Sequence, residues 1–238
     1  MLILCIDTAT STESIALVRI NKDPILGGGL STTTLADRHS DRGGIHGPHL
    51  LDDVHLILED GGFTLADLDG FCVGLGPGSF TGLRISLATL KGLSLATQKP
   101  LYGVRTTHAL CRAVDGDHVI AVIDARRGEI YIEGGSLAEP LCCHPSDIWS
   151  FLDPSSPWTL VGDGAVKYQE ELTHSSNATL PLNPALHAPQ AALLAPFIKP
   201  DEIPKLSILE PVYVRKSDAE INYPDGFPDA ANKVPRTR

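Results

Sequence analysis

The sequence has no apolar run long enough to cross a bilayer. Its first residues, Met1-Leu-Ile-Leu-Cys-Ile6, are too short for the apolar region of a signal peptide, lack a basic start and run straight into Asp7. They read as a buried first strand, and a cytoplasmic location without membrane contact is the expectation. Cysteine is sparse: five residues, an odd number, with no Cys-x-x-Cys pair. Cys5 and Cys72 lie in apolar, strand-like runs and read as small hydrophobes of a reduced compartment. No Cys/His pair has the spacing of a zinc site. Basic residues are also short, 19 Lys and Arg against 29 Asp and Glu, so the 238 residues carry a net charge of −10. Such a surface repels phosphate backbones, and unaided binding to RNA or DNA is not expected.

Signatures of independent catalysis are missing as well. There is no Gly-x-Ser-x-Gly elbow, no Walker lysine after a glycine loop, no Gly-x-Gly-x-x-Gly turn after a strand and no His-Glu-x-x-His. His46 and His49 stand three apart near Asp52 and Asp53, but Gly47-Pro48 separates them and no third histidine converges. No metal and no cofactor are therefore expected.

Among what is present, the segment Gly74-Leu-Gly-Pro-Gly-Ser-Phe-Thr-Gly-Leu-Arg-Ile85 is the most informative. It joins an apolar run, Gly70–Leu75, to a helical run, Leu83–Ala96, through Gly76, Pro77, Gly78 and Gly82. Such a turn gathers backbone N–H groups at a helix start and can hold an anion. The same glycines also permit a tight turn with Ser79 or Thr81 as helix cap. Both readings stand at this point. Arg84 sits in the first helical turn, where the helix dipole disfavours a cation, so it faces a carboxylate, a phosphate or a partner, or else is solvated. Ala88, Gly92 and Ala96 repeat every four residues, a stripe that lets another backbone approach.

Elsewhere the pattern alternates strands with helices. Leu2–Ile6 and Ser14–Ile20 suggest a hairpin with a polar tip at Asp7-Thr8-Ala9-Thr10. Val119–Ile123, Asp124 and Glu129–Ile132 echo that layout, with an aspartate again ending a strand. Each aspartate is a candidate for contacting a ligand or simply for an Asx-turn. Leu50, Leu51, Val54, Ile57 and Leu58 recur at helical spacing opposite Asp52, Asp53, His55 and Glu59, and Gly61-Gly62 ends the helix. That helix either packs on its own sheet or also offers an apolar strip to a partner. Leu101–Val104 is a short strand before a helix near Thr107–Val114. Trp158–Val161 leads into a second glycine turn, Gly162-Asp163-Gly164-Ala165, and Leu209–Arg215 is a last compact element. Strands alternating with helices imply an α/β fold with mixed sheets. The expected division is a first lobe at 1–104, a second at 105–216 whose last segment packs back on the first, and a disordered tail at 217–238.

The strings Ile3-Leu-Cys-Ile-Asp-Thr-Ala-Thr10, Gly74–Ile85, Lys91-Gly-Leu, Asp124-Ala-Arg-Arg-Gly-Glu-Ile-Tyr131 and Pro211-Val-Tyr-Val-Arg215 resemble the TsaB family, bacterial companion subunits of the tRNA threonylcarbamoyladenosine machinery. The match covers the first lobe well, while residues 134–204 carry little beyond the second glycine turn. The resemblance implies a two-lobed actin-like, Hsp70-like (ASKHA) fold, related to the catalytic paralogue TsaD within the glycoprotease-like superfamily. It implies a pseudoenzyme that binds and activates TsaD, with the TsaE-type ATPase joining them, tRNA reached only through the complex, and a homodimer in the partner's absence. His46-x-x-x-Leu50-Leu51 falls where the family has its partner-facing helix. The implied interface comprises His46, Leu50, Leu51, Val54, Leu58, Arg84, Ala88 and Gly92. A vestigial nucleotide cleft would comprise Asp7, Thr8, Gly76, Gly78, Ser79, Asp124, Gly162, Asp163 and Gly164. The metal histidines of the paralogue are matched only by His108. Asp41–Ile45 reads as a local insertion. The competing expectations are an independent actin-like ATPase or kinase using Asp7, Thr8 and the glycine turns, and a glycoprotease-like hydrolase.

Overall fold

Strand β1, Leu2–Asp7, is buried along its whole length. Leu2, Leu4 and Ile6 point into one core and Ile3 and Cys5 into another, so both sheet faces are covered. Strand β2, Thr12–Asp23, returns antiparallel with Ile15 opposite Ile6, and β3, Gly29–Asp41, pairs antiparallel outside it. Strand β4, Gly70–Gly74, lies parallel to β1, and β5, Leu101–Val104, parallel to β4. The sheet order is β3-β2-β1-β4-β5. The computed structural model describes residues 1–23, 29–41, 43–174 and 177–215; the tail expected at 217–238 lies outside them.

Helices α1, Leu50–Gly61, and α2, Phe80–Thr97, cover one face of this sheet. Gly62 ends α1 at φ 72°, a left-handed cap that glycine adopts without strain. Leu50, Val54, Ile57 and Leu58 of α1 meet Leu87 and Leu90 of α2 above Leu4, Ile6 and Leu17. A 3-10 helix at Ala191–Phe197 covers the opposite face through Ala191, Leu194 and Ala195.

The second sheet repeats the plan. Strands β6, Val119–Arg126, β7, Glu129–Gly134, and β8, Leu137–Cys143, form an antiparallel run. Strand β9, Thr159–Val161, adds parallel to β6, giving the order β8-β7-β6-β9. Helices α4, Asp163–Lys167, and α5, Gln169–Thr173, follow β9. Helix α3, Thr106–Arg112, joins the halves: Ala109 packs in the first lobe's core and Leu110 in the second's. Three antiparallel strands with a parallel neighbour, twice over, is the two-lobed α/β architecture with mixed sheets that was expected. Leu209–Arg215 forms neither helix nor strand. It crosses between the lobes, with Leu209 in the first core, the Val212 N–H donating to Leu75 O at 2.8 Å, and Arg215 donating to Glu129 of β7 at 2.5 Å.

Two expectations about α1 need correction. Leu50, Val54 and Leu58, read as a partner-facing strip, are buried against their own sheet, and His46 is fully buried with Nε2 3.0 Å from Thr10 O. Asp53, placed on the polar face, is buried too. The apolar period marked the core face, and core packing has used it. What α1 presents outward is Leu51, 60% exposed, with Asp52, His55 and Leu56. Val54→Arg is therefore expected to destabilise the fold by more than about 3 kcal/mol, because it buries an unpaired charge. Leu51→Glu is expected to stay within about 0.5 kcal/mol of the parent. Urea melts of the two variants check this, and equal losses would overturn the assignment of faces.

Candidate functional site

A cleft of about 700 Å³ opens between the lobes, at the strand ends where the two aspartate turns lie. Ala9, Thr10, Gly78, Ser79, Thr81 and Arg84 line it from the first lobe, and Asp124, Arg126, Arg127 and Asp163 from the second. Tyr213 and Arg215 of the crossing segment complete its wall.

The first-lobe wall is made by packing one turn on another. Asp7 Oδ1 accepts the Ala9 N–H at 2.9 Å, an Asx-turn that reverses the chain after β1. The Ser79 N–H donates to Ala9 O at 2.7 Å, and the Thr8 hydroxyl to Gly82 O at 2.8 Å. A Cβ at Gly78 would stand 2.3 Å from Ala9 O, and one at Gly82 2.1 Å from Thr8 O, so both positions require glycine. Ser79 caps α2 by accepting the Gly82 N–H at 3.2 Å. The Gly76 N–H is taken by Thr106 Oγ1 at 3.1 Å. The glycine turn thus spends the N–H groups of Gly76, Ser79 and Gly82 within the chain. Of the two readings left open, the tight turn accounts for these glycines. Asp7 and Thr8 are buried beneath it, and neither they nor Gly76 reach the cleft surface, unlike Gly78 and Ser79.

Asp7 pays for that burial. Loss of water raises its carboxyl to about 6, against the Ala9 N–H, the Thr106 hydroxyl and the nearby His46, which favour the ionised form. Thr106 Oγ1 donates to Asp7 Oδ2 at 2.7 Å. Because the folded pKa lies above the unfolded one, this group's stabilising contribution is complete below about pH 4 and is lost as pH rises through about 6.

The second-lobe wall repeats the turn with different chemistry. Asp124 Oδ1 accepts the Arg126 N–H at 3.0 Å, the same Asx-turn. Here, however, the carboxylate meets Lys167 Nζ at 2.8 Å and the Tyr168 hydroxyl at 3.3 Å. Asp163 Oδ1 accepts the Asp124 N–H at 3.0 Å, and burial raises the Asp163 carboxyl. Gly162 and Gly164 let α4 sit on β6, since a Cβ on either would meet the backbone of Val122 or Ile123 at 2.2 or 2.8 Å. Both glycines are packing positions, while Asp163 and Asp124 face the cleft.

Of the cleft cations, Arg84 was singled out from the sequence, while Arg126 and Arg127 were not. Arg126 and Arg127 stand at φ 63° and 56°, left-handed backbone that costs an L-residue about 1 to 2 kcal/mol each. The hairpin turn Arg127-Gly128 and the bulge between Asp124 and Arg126 impose this, and they place both side chains on the cleft. Their signal was the Asp-Ala-Arg-Arg-Gly string itself, where two arginines precede the glycine of a tight turn. Arg84 meets aromatic rings. Its guanidinium lies 3.7 Å from the Phe80 ring centroid and 5.7 Å from that of Tyr213, and Nε donates to the Tyr213 hydroxyl at 2.9 Å. Aromatic faces accept the cation that the helix dipole disfavours. Four arginines against two aspartates make the cleft a cationic surface on an acidic chain, suited to an anion.

Away from the cleft, α2 presents Ala88, Gly92, Leu95 and Ala96 outward, and α1 presents Leu51. A Cβ at Gly92 would meet nothing within 4 Å, so the small-residue stripe is open to solvent. On the far side of α3, Glu133 is buried between Arg105, Thr107 and His108. Burial opposes ionisation there, yet the His108, Thr107 and Arg105 contacts prevail and hold that carboxyl below its usual range. Among the described residues no three His, Cys, Asp or Glu side chains converge as a metal site, and no helix is long and apolar enough to cross a membrane.

This geometry has counterparts. Residues 30–139 match a family model described as TsaD: tRNA N6-adenosine threonylcarbamoyltransferase. The tRNA threonylcarbamoyladenosine biosynthesis protein TsaB of Escherichia coli is 32% identical over 69% of this chain and 72% of its own length. The chain belongs to the TsaB family. An uncharacterized protein of Mycobacterium leprae is 30% identical over 92% of this chain, which spans 56% of that protein's length. A crystal structure from Pseudomonas aeruginosa, described as an uncharacterized protein with similarity to peptidase YEAZ, superposes with a TM-score of 0.69 at 27% identity, covering 90% of this chain and 99% of its own.

Two outcomes follow from the site geometry. Asp7→Asn is expected to gain about 3 kcal/mol relative to the parent between pH 4 and pH 7, read as the difference in unfolding free energy at each pH. A constant difference across that range would show that Asp7 is not the group buried at a cost. Arg127→Gly relieves a left-handed residue and is expected to leave stability unchanged or raise it by up to about 1 kcal/mol in thermal melts. A loss of more than that would mean the Arg127 side chain holds the turn together.

Proposed function

We propose that this chain serves tRNA threonylcarbamoyladenosine biosynthesis as a noncatalytic subunit, docking on a TsaD-type transferase and holding it in its working conformation. Membership of the TsaB family carries the reading. The outward faces of α1 and α2 support it, because Leu51, Leu95 and the open stripe at Ala88, Gly92 and Ala96 give an apolar surface with room for a second backbone. Arg84, clipped to Phe80 and Tyr213 at the start of α2, stands at the rim of that surface. His46, Leu50, Val54 and Leu58 act from beneath, by fixing how α1 lies on the sheet. In the partner's absence the same face closes on a second copy of the chain, and a TsaE-type ATPase joins the assembled pair. The acidic surface suits a subunit that meets tRNA only within the complex.

A second reading rests on the cleft. Its arginines favour an anionic ligand, the surviving trace of a nucleotide site, bound without turnover. An independent ATPase or kinase is the weaker alternative, because Asp7 and Thr8 lie beneath the glycine turn.

The deciding experiment is tRNA threonylcarbamoylation by the cognate TsaD- and TsaE-type proteins with and without this chain, and with Leu51→Glu. The expected outcome is activity that requires the chain and falls at least tenfold with the variant, while its melt is unchanged. Full activity without the chain would sink the companion role, and ATP turnover by the isolated chain would restore the enzyme reading.

A further inference from the structure

A second cavity, of about 500 Å³, opens beside the linker helix α3 and shares no lining residue with the cleft described above. Its size suits a small molecule. Three parts of the chain build it. Phe197 ends the 3-10 helix that covers the first sheet, Leu137 opens β8 of the second, and His108, Cys111 and Arg112 stand on α3. The Phe197 and His108 rings lie 5.3 Å apart at 42° and make one aromatic side. Phe197 remains 38% exposed and Leu137 is half-buried, so apolar surface faces the opening. Cys111 Sγ donates to Glu133 O at 3.7 Å and to Val119 O at 3.9 Å. Burial pushes that thiol up to about 11, so it lines the cavity as an uncharged and unreactive surface.

The charged groups of the cavity divide into two kinds. Glu133 is buried and committed, because Arg105, Thr107 and His108 all hold its carboxylate. Arg112, in the last turn of α3, and Asp115, just beyond it, are exposed. Neither makes an ion pair or a side-chain hydrogen bond among the described residues. We propose that this cavity binds a free apolar α-amino acid, with its carboxylate on Arg112, its ammonium on Asp115 and its side chain on Phe197 and Leu137. An anion would find Arg112 but also the carboxylates of Asp115 and Glu133, and a cation would find Asp115 but also Arg112. A zwitterion pairs with both exposed charges at once. The guanidinium forks onto a carboxylate through two parallel N–H bonds, a geometry that an ammonium or a hydroxyl does not match. The apolar side chain gains by displacing water from the aromatic and aliphatic walls. Because both lobes and their linker contribute to the cavity, a bound molecule also holds the lobes together. The proposal stands on this cavity alone and requires neither the docking role of α1 and α2 nor a ligand in the cleft.

The test titrates the full chain with L-phenylalanine and follows amide chemical shifts. Phenylpropionate, which lacks the ammonium, and phenethylamine, which lacks the carboxylate, serve as half-probes. L-phenylalanine is expected to bind with a Kd of about 1 mM or tighter and to shift the amides of residues 111–116. Each half-probe is expected to bind about tenfold more weakly, the factor that a charge-assisted hydrogen bond supplies. Arg112→Gln is expected to weaken L-phenylalanine about tenfold without weakening phenethylamine, and Asp115→Asn to do so without weakening phenylpropionate. Both positions are exposed, and melts are expected to match the parent. Absence of binding at about 10 mM L-phenylalanine overturns the proposal, as does an affinity indifferent to both substitutions. A loss in only one variant, or a half-probe that binds as tightly as L-phenylalanine, shows that a single charge is recognised and overturns it too.

Discussion

Everything around the cleft depends on one backbone-to-backbone contact. The turn after β1 and the glycine turn before α2 touch through Gly78 against Ala9 and Gly82 against Thr8, at separations where any Cβ would lie within 2.3 Å of a carbonyl oxygen. The Ser79 N–H to Ala9 O and Thr8 hydroxyl to Gly82 O bonds close the contact from both sides. It sets where α2 begins, and therefore where Phe80 and Arg84 stand. Those two side chains in turn hold Tyr213, and with Tyr213 the crossing segment that walls the cleft. A side chain at either glycine would push α2 off the sheet and take the wall with it. The glycines look like an anion cradle because the same absence of Cβ serves both purposes. Which purpose applies is decided by what lies 2 to 3 Å away, and here that is the chain itself.

Much of the fold was legible. The apolar runs at Leu2–Ile6, Gly70–Leu75 and Val119–Ile123 became central strands because a strand buried on both faces is apolar throughout. Helices α1 and α2 followed from a period near 3.6 and from glycine at Gly61-Gly62. Strands β3 and β8 were not legible, for a common reason. Both lie at a sheet edge, where one face is largely wet and no alternation is enforced. Residues 31–40 of β3 are Ser, Thr, Asp, Arg and His with only Leu35 and Ala36 among them, and β8 contains Pro140, which an edge tolerates.

The site was less legible than the fold. Periodicity identifies the face of α1 that is apolar, but not whether a sheet or a partner covers it. The strip at Leu50, Val54 and Leu58 proved to be core, and the outward residues Leu51 and Leu56 are the ones that break the polar face. Similarly, Asp7 and Asp124 were paired by their position at strand ends, and the structure gives them the same Asx-turn. Their surroundings differ because of residues far away in sequence. Thr106 and the glycine turn close over Asp7, whereas Lys167 and Tyr168 reach Asp124 from α4 and its end. Tertiary neighbours of this kind leave no local mark.

The duplicated plan makes the contrast instructive. In the first lobe the strand-end turn is sealed under glycines and its carboxyl is pushed toward neutrality. In the second, the turn runs on into a bulge and a tight hairpin that hold two arginines in left-handed conformations at the surface. One turn has become structural, and the other presents charge. Strain of about 1 to 2 kcal/mol at each of two adjacent residues is a cost that glycine or asparagine at the same positions would avoid. Its retention here argues that the guanidinium groups, rather than the turn, are what those positions supply.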